Sequence, residues 1–187
     1  LKAGIDIHKM TAANSLGIPI DQVTKKQRQN AKAIVFGLMY GRGVWSISQE
    51  LGITEGEAKR IVNIFFSRYP TAQAWLKQQI FVAKRTGQIM NYFGRVRRLP
   101  GINSSDDMVR SEAERQSKNA PIQSAASDMT CTAAIRINRK FKELGLLGKL
   151  VLTVHDSLVY DIPKAEVERS FVIIKEEMER PVAGVNV

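Results

Sequence analysis

Apolar positions recur every three or four residues along most of this chain, and twice that helical rhythm gives way to short β-rich runs. Thr24 with Gln27 forms a capping box and predicts a helix running to about Tyr40. Gly41-Arg42-Gly43 interrupts it, and a short helix follows through Leu51. Thr54 with Glu57 is a second capping box, opening a helix to Arg68 with Ile61, Ile64 and Phe65 among its apolar positions. Pro70 suits the first turn of a further helix, and Gly87 its end. Gln88 to Leu99 reads as a short hairpin turning near Phe93-Gly94. The chain is helical again from about Asp106 to Asn119, Pro121 breaks or kinks it, and a long helix then reaches about Leu144. KLVLTV and SLVYDI are the second β-rich pair, separated by His155-Asp156 at a tight turn, and Glu166 to Glu179 closes the pattern as an amphipathic helix. Many helices followed by a hairpin predict a predominantly helical α+β fold.

Composition narrows the partners. A formal charge of +10, from 28 Lys+Arg against 18 Asp+Glu in 187 residues, implies an anionic partner or a strong solubility bias. The cations are interleaved with helix formers, unlike a disordered basic tail, which favours nucleic acid over an anionic membrane surface. No apolar run approaches the roughly 20 residues that span a bilayer. The single cysteine, Cys131, excludes an internal disulfide and fits a reducing compartment; its apolar helical surroundings read as those of a small core residue. The opening Leu1 and the closing GVNV, which resembles the start of a strand, read as the ends of a piece of a longer protein.

The chemistry begins on the helix after Thr24. Arg28, Lys32, Phe36 and Tyr40 stand four apart, so a helix lays them along one slowly drifting stripe about 18 Å long. Two cations suit phosphates, and two rings suit a sugar and base. Gly37 and Gly41 beside the rings indicate a close approach to the backbone. Spacing alone equally describes an amphipathic helix with Ile34 and Leu38 turned to a core.

The residue types decide more than the spacing. R-x-x-x-K-x-x-x-F-x-x-x-Y-G resembles motif B of the family A DNA polymerases, the group of bacterial polymerase I and many phage replicases. The resemblance extends over nearly the whole chain. Asp6-Ile7-His8 followed by TAA resembles the family's DIH segment, whose His approaches the triphosphate. GRVRRLPGI resembles a stretch in which guanidiniums such as Arg95 and Arg97 would hold template phosphates. RSEAERQSKNAPIQSAASD resembles the segment whose Arg, Asn and Gln contact primer-template; these fall on Arg115, Asn119 and Gln123. Amides there can sense minor-groove acceptors without reading sequence.

TVHDSLVYDI resembles motif C, the palm hairpin, with Asp156 as the catalytic metal ligand and His155 near the primer end. Ser157 stands where the family usually carries Glu, and His-Asp-Ser also resembles motif C of the single-subunit phage RNA polymerases.

The resemblance therefore implies fingers over residues 1–118, with motif B at about 24–41, and part of a palm over 119–187, with motif C at about 149–162. It implies dNTP binding by His8, Arg28, Lys32, Phe36 and Tyr40, and catalysis by Asp156 and Lys32 with two Mg²⁺ ions. It implies primer-template DNA as the other partner, no membrane, and the cytoplasm of a bacterium or phage-infected cell. In the family, Phe at the Phe36 position goes with discrimination against dideoxynucleotides. Motif A and its second carboxylate have no counterpart here, and Asp21, Asp128 and Asp161 lack a local context that would let them substitute. Motif A, the thumb and the C-terminal end are expected elsewhere in a longer parent, and the 187 residues alone are expected to be inert. A noncatalytic, basic DNA-binding module is the reading from a different class.

Overall fold

Both capping boxes form. Thr24 Oγ1 accepts from the Gln27 N–H while Gln27 Oε1 accepts from the Thr24 N–H at 2.9 Å, and the Thr54–Glu57 box repeats the arrangement. The computed structural model describes residues 6–182. Its helices are α1 (Ile7–Leu16), α2 (Lys25–Met39), α3 (Val44–Leu51), α4 (Glu55–Arg68), α5 (Pro70–Thr86), α6 (Asp107–Glu143) and α7 (Val167–Met178). Two separate antiparallel pairs complete the fold: β1 (Gln88–Met90) with β2 (Val96–Arg98), and β3 (Lys149–Val154) with β4 (Ser157–Asp161). The predominantly helical α+β class is what the hydrophobic pattern predicts.

The chain divides into two units. One takes the described residues through Met90 together with Val96–Pro121; the other takes Asn91–Arg95 and the described residues from Ile122 onward. In the first unit, Ile34, Val35 and Leu38 of α2 pack on Ile47 of α3 and on Ala58, Val62 and Phe65 of α4. The side of α2 turned from the stripe is thus a core face, as the amphipathic reading expects for Ile34 and Leu38. Ala12 and Ala13 of α1 meet Val23 and Ala31, which lets α1 approach α2 closely. Ala83, Ile89, Leu99, Ile102 and Ala113 form a further core beneath the first hairpin.

Two expectations fail. Of the break or kink expected at Pro121, the break is absent: α6 is one helix of 37 residues with the proline inside it. Proline removes the N–H that would bond the Ser117 carbonyl, but Ala113 and Ser117 before it and Ile137 and Phe141 after it are all buried, and that packing holds the helix through the defect. Cys131 is exposed on α6, while Ala133, Ala134 and Ile137 take the core side.

The second unit is built on Ile137, Phe141 and Ile173, with Leu158 and Tyr160 of β4 packed against them. Glu177 is 2% exposed there and carries a concentrated set of charges. Lys140 Nζ lies 3.0 Å from Oε1. Arg136 Nε lies 2.9 Å from Oε2, off the hydrogen-bonding direction, and Arg136 Nη2 donates to the Glu177 carbonyl at 3.0 Å. Burial pushes the Glu177 carboxyl up, but Lys140 and then Arg180 outweigh it and hold it below the usual range. A carboxyl depressed by folding contributes stability that is complete above its unfolded value, about 4.3, and is lost as pH falls through the folded one. Glu177→Gln is therefore expected to cost roughly 1–3 kcal/mol at pH 7, by removing the buried charge that Arg136 and Lys140 face, and to cost less at pH 4. Denaturant titrations at the two pH values check this; equal losses at both would contradict it.

Candidate nucleotide and nucleic-acid site

Asp6 begins the first unit's site. Its Oδ1 accepts from the His8 and Lys9 N–H groups, each at 3.0 Å, which caps α1 and sets His8 on the first turn. Its Oδ2 takes Arg28 Nε at 2.5 Å across the gap to α2. The Arg28 hydrogen bond is the main reason the Asp6 carboxyl lies below its ordinary range, with the Lys9 N–H next.

The stripe then continues along α2. Lys32 Nζ lies 5.6 Å from the Phe36 ring centroid, within cation–π reach. Phe36 stacks on Tyr40 at 5.9 Å, and the His8 ring meets Phe36 at 5.6 Å, tilted by 41°. Phe36 and Tyr40 remain 40% and 42% exposed, so the ring row is open on one side. Burial lowers the His8 pKa most, Arg28 and Lys32 lower it further, and Asp6 opposes them. The imidazole is therefore neutral at pH 7, and its Nδ1 is buried with no hydrogen-bond partner among the described residues. All five residues assigned to nucleotide binding are brought together, His8 on α1, Arg28, Lys32 and Phe36 on α2, and Tyr40 at the C-terminal cap of α2. Asp6, which ties the cationic end in place, was not assigned a role; its position just before a helix was the signal.

The two glycines have partners within the chain. A Cβ at Gly37 would lie 3.4 Å from Arg42 Cδ and 3.7 Å from Ile47 Cγ1. Gly41 has φ +77°, and a Cβ there would lie 3.1 Å from Lys118 Cδ and 3.4 Å from Arg115 Cα. The end of the stripe helix thus abuts the part of α6 that carries Arg115.

That surface is hydrogen-bonded in series. Arg97 Nη2 donates to Gln116 Oε1 at 3.1 Å, Gln116 Nε2 donates to Glu112 Oε1 at 3.0 Å, and Arg115 Nε donates to Glu112 Oε2 at 3.1 Å. Arg115 chiefly, then Gln116, draws the Glu112 carboxyl below its usual range. Asn119 Oδ1 is buried without a hydrogen-bond partner among the described residues. Sequence reasoning missed Gln116 and Glu112, although their i,i+4 spacing is the ordinary sign of a helix-surface pair.

The second unit holds the remaining assigned residues. His155 and Asp156 form the two-residue turn between β3 and β4, with Val154 paired to Ser157 across it. His155 takes φ +54°, as the first central position of a type II′ hairpin requires. Asp156 is exposed and lines a cavity of about 380 Å³ together with Thr130, Arg136 and Glu179. Gln123 is exposed on α6. Arg95, assigned to template phosphates, directs Nε and Nη2 at the carboxylate of Asp128.

A carboxylate on an exposed turn suits one position around Mg²⁺, which prefers hard oxygen ligands. Among the described residues no group of three or more His, Cys, Asp or Glu side chains is arranged to hold a metal ion. Asp156 fits as a single ligand and not as a whole site. No described helix is long and apolar enough to cross a membrane.

The family model described as DNA polymerase family A matches residues 1–187. DNA polymerase I of Caldicellulosiruptor bescii is 36% identical over 182 residues, covering 97% of this chain and 21% of that protein. The DNA polymerase of Bacillus phage SP01 is 37% identical over 183 residues, covering 95% of this chain and 20% of that one. Among solved structures, the POL domain of Pol1 from M. smegmatis, in complex with DNA primer-template and dNTP, aligns with a TM-score of 0.86 at 33% identity, over 96% of this chain and 32% of that one. The chain spans about one fifth of the length of the curated relatives it matches. With a family match over its whole length and the motif B side chains gathered on one helix face, the chain belongs to DNA polymerase family A.

Proposed function

We propose that the longer protein carrying this chain is a template-directed DNA polymerase that adds dNTPs to a primer 3′ end. The observation that carries this reading is the continuous row of Arg28, Lys32, His8, Phe36 and Tyr40, cationic at one end and aromatic at the other. Arg28 and Lys32 bind the triphosphate and offset charge that grows on it during transfer, which favours the transition state over the ground state. Neutral His8 offers a ring nitrogen beside them. Phe36 and Tyr40, stacked on each other, pack against the nascent base pair, and the helix that carries Phe36 is held from behind by Ile34, Val35 and Leu38 in the core.

On this reading residues 1–118 are fingers and 119–187 part of a palm. Arg97, Arg115, Asn119, Gln123 and His155 are its contacts to primer-template. The relative solved with primer-template and dNTP supports those partners. Asp156 would hold catalytic Mg²⁺, which when bound activates the primer 3′-hydroxyl and stabilises the departing pyrophosphate. The second carboxylate belongs to the longer protein, in the cytoplasm of a bacterium or an infected cell.

Ser157 favours one other reading, a single-subunit RNA polymerase, because a hydroxyl follows the motif C aspartate. Primer extension by the longer protein with deoxy- or ribonucleoside triphosphates separates the two. Extension with the deoxy set and none with the ribo set is expected. The reverse preference would replace the DNA polymerase by the RNA polymerase.

A further inference from the structure

The turn between β1 and β2 carries a polar lock that neither the stripe nor the motif C hairpin uses. Asn91 is 5% exposed and spends its whole amide on it. Its Oδ1 accepts from the Phe93 and Arg95 N–H groups, each at 2.9 Å, and its Nδ2 donates to Ser124 Oγ at 2.9 Å and to Asp128 Oδ2 at 2.7 Å. Asp128 is itself 9% exposed and also takes Arg95, with Nη2 at 2.5 Å from Oδ1 and Nε at 3.0 Å from Oδ1 and 3.2 Å from Oδ2. One buried carboxylate on α6 thus gathers both ends of the five-residue turn.

This lock bears on the DNA surface. Ser124 adjoins Gln123 on α6, so the lock and the proposed minor-groove contact share one turn of helix. Arg95 has committed its Nε/Nη2 edge to the carboxylate, which leaves only the end-on Nη1/Nη2 edge to meet a phosphate. Arg95 and then Asn91 hold the Asp128 carboxyl below its usual range, so it stays ionised through the neutral region.

We propose that Asp128 is a positioning residue for primer-template binding and that Arg95 is its strut, holding the 91–95 turn on α6 instead of gripping a phosphate. The inference rests on the reading of the longer protein as a primer-template-binding polymerase. Its test separates the two claims through salt dependence, since each phosphate contact contributes about −0.9 to the slope of log K against log salt on duplex DNA.

Primer-template affinity is measured over a range of salt for the longer protein, with folding checked by circular dichroism. Arg95→Gln and Asp128→Asn are each expected to weaken binding about tenfold, one charge-assisted hydrogen bond's worth of ordering, with the slope unchanged. The double variant is expected to be no weaker than either single one, because both remove the same pair. Asp128→Asn preserves shape and the bond to Asn91, so it remains informative should Asp128→Ala fail to fold. Arg97→Gln is the control, expected to make the slope shallower by about 0.9. A slope made shallower by about 0.9 in Arg95→Gln, additive losses in the double variant, or unaltered affinity in both single variants would overturn the proposal. A parent with no salt-dependent primer-template binding would instead overturn the functional reading beneath it.

Discussion

If the longer protein is the proposed polymerase, Asp156→Ala is expected to slow its nucleotide addition by roughly a thousandfold or more, since metal-borne charge stabilisation supplies several kcal/mol and each 1.36 kcal/mol is tenfold in rate. Primer-template affinity should stay within about twofold, a smaller change than one lost hydrogen bond produces. The contrast follows from where the residue sits. Asp156 lies on an exposed two-residue turn, while the hairpin is held by Leu158 and Tyr160 against Phe141 and its neighbours, so removing the carboxylate leaves that packing intact. Single-turnover extension and a binding titration on the same preparation read both quantities. Undiminished extension would remove Asp156 from the chemistry, and lost DNA binding would make its role structural.

Lys32→Ala carries the second large effect. A fall in kcat/KM for the dNTP of about 10²–10³ is expected, the usual cost of deleting one preorganised group that meets developing charge. It should exceed the fall for Arg28→Ala. Arg28 already donates Nε to Asp6, whereas no carboxylate among the described residues lies within ion-pair distance of Lys32. The Lys32 ammonium lies over the Phe36 ring, near His8, on an exposed side chain that a phosphate can reach. Folding offers no rival explanation, because Lys32 is exposed mid-helix, where alanine is the better helix former. Pre-steady-state incorporation over a range of dNTP concentrations measures the loss. A loss under tenfold would mean that Lys32 is a solvated surface charge.

What could be read from the chain beforehand was what adjacent residues decide. The capping boxes at Thr24 and Thr54, Pro70 at the start of α5, and the turn at His155-Asp156 are each set within a few positions, and each forms as expected. The stripe was legible for the same reason, because helical spacing alone puts Arg28, Lys32, Phe36 and Tyr40 on one face. Long-range pairing was not. Arg28 meets Asp6 across 22 positions, and Arg95 meets Asp128 across 33. Nothing local marks either aspartate as a partner, so Asp128 looked contextless and Arg95 looked free for a phosphate. Pro121 misled in the opposite sense: a strong local signal for a break was overridden by buried residues on either side of it.

The central claim is that this chain's stripe and hairpin belong to an enzyme that copies a template. It is tested most directly by offering the longer protein four primer-templates that differ only in the first unpaired template base, each with one dNTP at a time. Addition of the complementary dNTP alone, on all four templates, is the expected result. The same nucleotide added whatever the template, or tight DNA binding with no addition at all, would contradict it.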